Sequence, residues 1–377
     1  MLISAYSTRH EYRPHNFTGV EARSSRGPSG PDPELTDHLA ALADYVRDST
    51  AEAWTLRAHA LLRHVTDTQR WYRFELDETE PLQLTRLTDW AADANAILLV
   101  DGALLDGLGR PLLAGTHGAA TGEVPITPEA ADRAAEIRGW LASERQVSVP
   151  AELAPVRSSS EVLVRHAEQV GLRILALVLT ADVARSVEAG APVDPGALAG
   201  VFPRAFAALS PAERELLDNQ DARLARRLIP RIEAAQELLW AISRIRFGWP
   251  TSPCSIERVE RIVLTGGEQE FLQDLEVRTE PELLNEYECL MSLVWALDAA
   301  RRGQHPVIPE THPVVAAERL AALSWLLNPG LAWDEAGGHD RNFWRTPPEE
   351  APAPAPVSAP AATATASRWG LPRRRAR

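Results

Sequence analysis

The sequence predicts an α+β protein: a small N-terminal α/β domain of ferredoxin-like order, a larger all-helical domain, and a disordered C-terminal tail. Three observations predict it. Short apolar runs, LISAYS at Leu2 and AILLV at Ala96, alternate with helical periodicity through residues 1–115. Beyond about Pro128 nearly every apolar pattern has helical spacing. The last stretch, residues 347–377, is rich in Ala, Pro and Arg, a composition with too little apolar surface to build a core.

Taken in order, LISAYS reads as a first strand, and Thr8 to Pro33 as a long polar loop rich in Gly, Pro and Ser. Leu35, Leu39, Leu42 and Val46 mark a helix over residues 34–47. Residues 58–77 read as a hairpin, HALLRHV and RWYRFELD across TDTQ, or with the first arm as a helical turn. A helix follows over 82–94, then the buried strand AILLV. DGALLDGLGRPLLAG has the Asp-Gly chemistry of a short β-hairpin. The order is β-α-β-β-α-β plus a hairpin, which fits a ferredoxin-like sandwich. Residues 116–148 are a Gly/Thr-rich connection and a helix from Pro128. The helical domain spans 149–346. It opens on VPAELAP and a capped start at Ser158-Ser159-Ser160-Glu161, with a helix expected from there to about Glu188. Ser210-Pro211-Ala212-Glu213 combines a capping box with proline at the first helical position. Further helices are expected at about 230–247, 255–263, 281–302 and 312–328. The last stops at Pro329-Gly330 before a short return carrying Trp333 and Asp334.

Composition excludes several chemistries. All 39 basic residues are arginine. Without lysine there is no Schiff-base catalysis and no P-loop or kinase-type lysine. The net charge is −13, and five arginines fall at Arg368 or beyond, so the body is more acidic still. An acidic body repels phosphate backbones, which argues against nucleic-acid partners. Cys254 and Cys289 are too few and too far apart for a metal knuckle or disulfide framework, and they suit a reducing cytoplasm. The N-terminus lacks the apolar core of a signal peptide. The most apolar run, Ile174 to Val183, is about half a bilayer span. A cytoplasmic protein with no membrane partner is expected.

Three windows share one pattern. Glu233, Glu288 and Glu318 each stand seven residues before a tryptophan, Trp240, Trp295 and Trp325. On a helix that offset puts each pair on one stripe. On the plainer reading the tryptophans are core and the glutamates edge it. On the sharper reading the carboxylates converge on a polar, Trp-lined pocket, with Arg231, Arg319 and Arg173 as partners and Trp333 as a further anchor. Buried charges need such partners. The unequal spacing of Trp240, Trp295 and Trp325 excludes a regular solenoid.

Four stretches resemble the bacterial domain-of-unknown-function family DUF4272. They are Val149 to Arg185, where Arg157, Glu161 and Arg165 match charged positions, and LSPAERELLD from Leu209. The others are RIEAAQELLWAI from Arg231, and AAERLAALSWLLNPGLAWDE from Ala316. Pro230 stands where the family tends to have a leading Trp, so the third match is partial. The resemblance covers about Val149 to Asp340. It implies a helical domain and no particular activity.

No G-x-S-x-G, H-E-x-x-H or G-x-G-x-x-G occurs, and the ten histidines are scattered. No cofactor and no metal site is expected. The pattern predicts a non-catalytic protein that binds a protein partner or a small polar ligand. The alternative is a hydrolase-like enzyme using Glu carboxylates in a Trp-lined pocket, since paired carboxylates suffice for acid/base work.

Overall fold

The computed structural model describes residues 1–14, 17–25, 32–51, 55–76, 81–114, 119–191 and 193–341. The tail expected to be disordered lies outside them. The chain divides into two compact units, the first built on Met1–Thr127, the second on Pro128–Ala151 and Pro155–Asn342.

The first unit runs β1 (Leu2–Ser7), β2 (Thr18–Ser24), α1 (Pro33–Thr50), α2 (Leu56–Thr66), β3 (Arg70–Glu75), α3 (Pro81–Asp93), β4 (Ala96–Val100) and β5 (Ala103–Leu105). Its strands form one antiparallel sheet in the order β2-β3-β1-β4-β5. The α+β class and the sheet stand as expected, while two details of the ferredoxin-like order differ. First, the stretch read as a loop contains the edge strand β2. Its sequence, TGVEARS, has no clean apolar alternation. It is held by its ladder to β3, interrupted by a register shift between Thr18 and Glu21, and by Arg23, which pairs with Glu21 and Glu34. Second, the helices cover both faces of the sheet. Strand side chains alternate: Tyr6, Trp71 and Ile97 pack with Leu42 of α1 and Leu61 of α2, whereas Ile3, Tyr72 and Phe74 pack with Leu87 and Trp90 of α3. The first arm of the possible hairpin is α2, a helix whose first turn is capped by Thr55 Oγ1 accepting from Ala58 N. The Asp-Gly hairpin forms as read, with Asp101 at φ 48° and Gly102 at φ 81°, the left-handed pair of a two-residue turn.

The second unit is helical: α4 (Pro128–Arg145), α5 (Ala167–Glu188), α6 (Pro195–Val201), α7 (Pro203–Ala207), α8 (Pro211–Asn219), α9 (Ala222–Leu228), α10 (Ile232–Ala241), α11 (Ile256–Leu264), α12 (Gly267–Phe271), α13 (Glu280–Arg301), α14 (Pro313–Leu326) and α15 (Trp333–His339). Its hub is α5, buried almost continuously from Arg173 to Ala181. A helix apolar all round can only be stable when surrounded, and α7 to α11 do surround it. α14 has the same character and lies against α10, α13 and α15.

The helix expected from Ser158 begins at Ala167. The capping box is real, with Ser158 N and Oγ both donating to Glu161 Oε2 (2.8 and 2.7 Å), but it closes only a 3-10 turn, Ser159–Glu161. The chain then stays extended, because Arg165 is fastened to the end of α14. Its backbone N donates to Leu326 O (3.0 Å), its Nε to Trp325 O (2.8 Å), and its Nη2 to Asn328 O and Leu331 O (3.1 and 2.6 Å). These carbonyls lie at the end of α14 and in the turn that follows it. Likewise α10 stops at Ala241, short of the expected 247, where Arg278 donates to the carbonyls of Ala241 and Trp240. The return after Pro329-Gly330 is α15, which Trp333 and Asp334 begin. Among the described residues, no helix is long and apolar enough to cross a membrane.

Candidate functional site

The structure divides the residues of the Glu/Trp pattern into three groups. Trp325 and Trp333 are buried and meet edge to face at 5.5 Å, and each carries a guanidinium over its ring: Arg165 at 4.1 Å from Trp325 and Arg173 at 4.9 Å from Trp333. Trp240 and Trp295 are only partly buried and have different neighbours. Trp240 packs on Phe247 (5.8 Å) beneath Arg278 (4.8 Å), and Trp295 meets His305 at 6.5 Å.

Arg173 and Arg231 belong to a second group on α5, α8, α15 and the 3-10 turn Ile229–Arg231 before α10. Arg173 Nη2 donates to Glu213 Oε2, and its Nη1 donates to Ala208 O (3.2 Å). Arg231 Nη1 donates to Asp334 Oδ1 (2.8 Å) and lies 3.8 Å from Glu213 Oε1. Asp334 also accepts from Ser210 Oγ (2.9 Å) and Ala212 N (3.0 Å), so it helps cap α8. These hydrogen bonds, with the Arg231 guanidinium, hold its carboxyl below the usual range despite burial. Arg173 Nε and Glu213 Oε1 are buried without a hydrogen-bond partner, but the two residues are joined through their other atoms, and the group closes the fold.

Glu288 has a similar structural part. It is fully buried, and its Oε1 accepts from Arg138 Nε (2.9 Å) and from Ser292 Oγ (3.3 Å). Its Oε2 accepts from Val156 N (2.7 Å). Its hydrogen-bonding capacity is spent on tying α4 and residue 156 to α13.

The third group is different. Glu233 and Glu237 are one turn apart on α10, Glu286 and Cys289 one turn apart on α13, and Glu318 and Arg319 adjacent on α14. The loop after α10 covers them: Arg319 Nη1 donates to Gly248 O (3.0 Å) and its guanidinium lies 4.2 Å from the Phe247 ring centre. Glu233 Oε1 accepts from Cys254 N (2.5 Å). What sets this group apart is a buried carboxylate, that of Glu237, with neither oxygen hydrogen-bonded. Among the described residues, no hydrogen-bond partner reaches either carboxylate oxygen of Glu237, Glu233 Oε2, Gln236 Oε1 or Arg319 Nε, all of them buried atoms. Glu237 itself is 0 % exposed.

The electrostatics follow from that geometry. Burial lifts the Glu237 carboxyl well above its usual range, the nearby Glu286 lifts it further, and Arg319 offsets only part. Glu286 is raised by burial against the pull of Arg319. Glu318 is raised by burial first; Arg231 and Arg341 oppose this, and Glu233 adds to it. Burial and then Glu233 push the Cys254 thiol up to about 12, and burial with Glu286, Glu288 and Glu237 raises Cys289 as well. Neither thiol is an activated nucleophile. Glu286, Cys289 and Glu318 keep part of their surface open to solvent while burial dominates their titration. Among the described residues, no three His, Cys, Asp or Glu side chains are grouped to hold a metal ion.

The Glu/Trp stripe thus contributes Glu233, Glu318 and Arg319 to this group, with Trp240 one turn from Glu237. It misses Glu237, Glu286 and Phe247. A signal for Glu237 exists in IEAAQELLWA, where a second carboxylate sits in the middle of an otherwise apolar helix.

An unpartnered buried acid should cost stability, and this is testable. Glu237→Met is expected to stabilise the helical unit by about 1–3 kcal/mol at neutral pH, read from urea denaturation midpoints. A carboxyl raised in the folded state favours folding below its unfolded pKa of 4.5. That advantage is lost as pH rises toward the folded value. Glu286 and Glu318 act in the same direction. The wild-type midpoint should therefore fall as pH rises above 4.5 from this source, and Glu237→Gln should flatten the fall.

No curated protein matches the chain, and no solved structure matches it. A family model described as Domain of unknown function (DUF4272) matches residues 133–336, more than half of the chain, beginning inside α4, upstream of Val149. This stretch contains α5 to α14 whole and each member of the three groups above, and on it the chain belongs to the DUF4272 family.

Proposed function

We propose that the helical unit is a non-catalytic binding module, and that Glu233, Glu237, Glu286, Glu318 and Arg319 hold a small polar ligand where α10, α13 and α14 meet. The observation that carries this reading is Glu237, a wholly buried carboxyl with no protein partner beside a second acid and a single arginine. Folded proteins rarely leave such groups unmatched without a use for them. A small ligand fits better than a protein partner, because the unmatched atoms are internal and a flat docking surface would not reach them. We place the protein in the cytoplasm, a reading supported by two free cysteines.

The test is a metabolite screen by thermal shift on the full chain. Compounds that raise the wild-type midpoint should lose their effect in Glu237→Gln and Glu318→Gln, both checked for folding by circular dichroism. Hits that shift both variants as much as wild type would count against this site.

A second reading keeps its place because three carboxyls here are raised, a property useful to a general acid. On it Glu237 or Glu286 would protonate a leaving group while another carboxylate assists on a sugar-like substrate. Turnover of an aryl glycoside panel, abolished by Glu286→Gln, would favour it over simple binding.

A further inference from the structure

Resting on that site reading, we infer that the ligand is an organic cation bearing N–H donors, a primary ammonium or a guanidinium. Hydrogen-bonding capacity at the site decides the class. The buried atoms without a hydrogen-bond partner include four oxygens, both of Glu237, one of Glu233 and one of Gln236, and all four accept once a bound cation draws the proton off Glu237. Against them stands one donor, Arg319 Nε. A ligand that matches such a lining must bring several donors and few acceptors. Phosphates, sulfates and carboxylates bring only acceptors, and a quaternary ammonium brings charge without donors.

Charge points the same way. The acids come from three elements: Glu233 and Glu237 on α10, Glu286 on α13 and Glu318 on α14. Arg278, over the Trp240 ring, is bonded to Glu282, and the other cations acting on the group among the described residues are Arg319, Arg231, Arg341 and Arg145. Three of these are occupied elsewhere. Arg231 is bonded to Asp334, Arg341 to Asp298, and Arg145 lies over the Trp249 ring at 4.7 Å. Arg319 gives its one described hydrogen bond to a carbonyl rather than to an acid. The neighbouring Phe247 and Trp240 rings, both partly open, would lie beside the carbon skeleton of an organic cation, and each already has a guanidinium over it.

The experiment titrates the full chain with putrescine and agmatine by calorimetry, with tetramethylammonium and glucose as controls. Putrescine or agmatine should bind, with tetramethylammonium at least about tenfold weaker, because charge-assisted N–H bonds supply the difference. Glu237→Gln and Glu286→Gln should each weaken binding about tenfold or more. Glu286 is partly exposed, so its variant carries the test if the buried substitution unfolds the unit. Tetramethylammonium binding as tightly as the amines overturns the inference, as does amine binding indifferent to both variants. Glucose binding that is lost in Glu237→Gln, with both amines inert, overturns the cationic class and leaves the site standing. Inertness of every probe overturns the cationic class, and the metabolite screen then judges the site alone.

Discussion

Glu213→Ala is expected to lower the stability of the helical unit by about 3–5 kcal/mol, the usual cost of breaking a buried ion pair from one side. Glu213 is 0 % exposed and does three things together. Its Oε2 accepts from Ser210 N (2.8 Å), closing the capping box that starts α8. The same oxygen takes Arg173 Nη2, and Oε1 faces Arg231 at 3.8 Å. Removing it strands the Arg173 guanidinium, only 4 % exposed, in the middle of α5. It also removes half of a cap on a nine-residue helix. For a unit of this size the midpoint of thermal unfolding should drop by about 10 °C. The control is the double replacement Glu213→Leu with Arg173→Met. It should cost less than Glu213→Ala alone, because neither charge is then left buried without its partner. A single-variant loss under about 1 kcal/mol would mean that solvent reaches Arg173 in a way its burial denies.

The second large effect falls on a residue that the sequence pattern placed in the pocket. Glu288→Ala should cost about 3–5 kcal/mol and should leave ligand binding at the acidic group otherwise intact in protein that remains folded. The carboxylate is 0 % exposed, and its loss leaves Arg138 without its acid and Val156 N without its acceptor. The consequence should be local as well as global. Residues 146–158 have little regular structure, and Glu288 is one of their fastenings to the helices. Others are Arg133 Nη2, which donates to the carbonyls of Val156 and Arg157 (2.7 and 2.6 Å), and Ser148 N, which donates to His305. Hydrogen exchange at Val156 should rise more in Glu288→Ala than at amides in the middle of α5. Glu288→Gln keeps an acceptor for Val156 N and should lose less. If both variants lose the same and exchange rises uniformly, the fastening described here is not what Glu288 contributes.

The offset linking Glu233, Glu288 and Glu318 to their tryptophans is real as a helix stripe, since all three lie on α10, α13 and α14 as read. Stripe membership fixes which way a side chain leaves its own helix. It does not fix what stands opposite. Glu288 meets Arg138 from α4, 150 residues earlier in the chain, and becomes structural. Glu318 meets a second acid, Glu233, with Arg231 and Arg341 opposing it only in part. Arg173 looked like a candidate ligand contact because it interrupts an apolar run, yet its partner is the glutamate of the α8 capping box. That motif was itself legible as a helix start and silent about its second use. Glu237 went unnoticed for the opposite reason. A glutamate is a good helix former, so its burial leaves no mark on local propensity.

The sequence by itself determined the α+β class, the absence of lysine, the Asp101-Gly102 hairpin, the α8 cap and the family. All of these rest on composition, on periodicity or on the chemistry of a few adjacent residues, which act over one or two turns of chain. Only the tertiary structure decided that the polar stretch at Thr18 becomes an edge strand and that helices cover both faces of the sheet. It alone decided which glutamates are paired and which are left unmatched. Strand ladders and ion pairs are contacts between distant segments, and a buried carboxyl takes its character from the charges that packing sets against it.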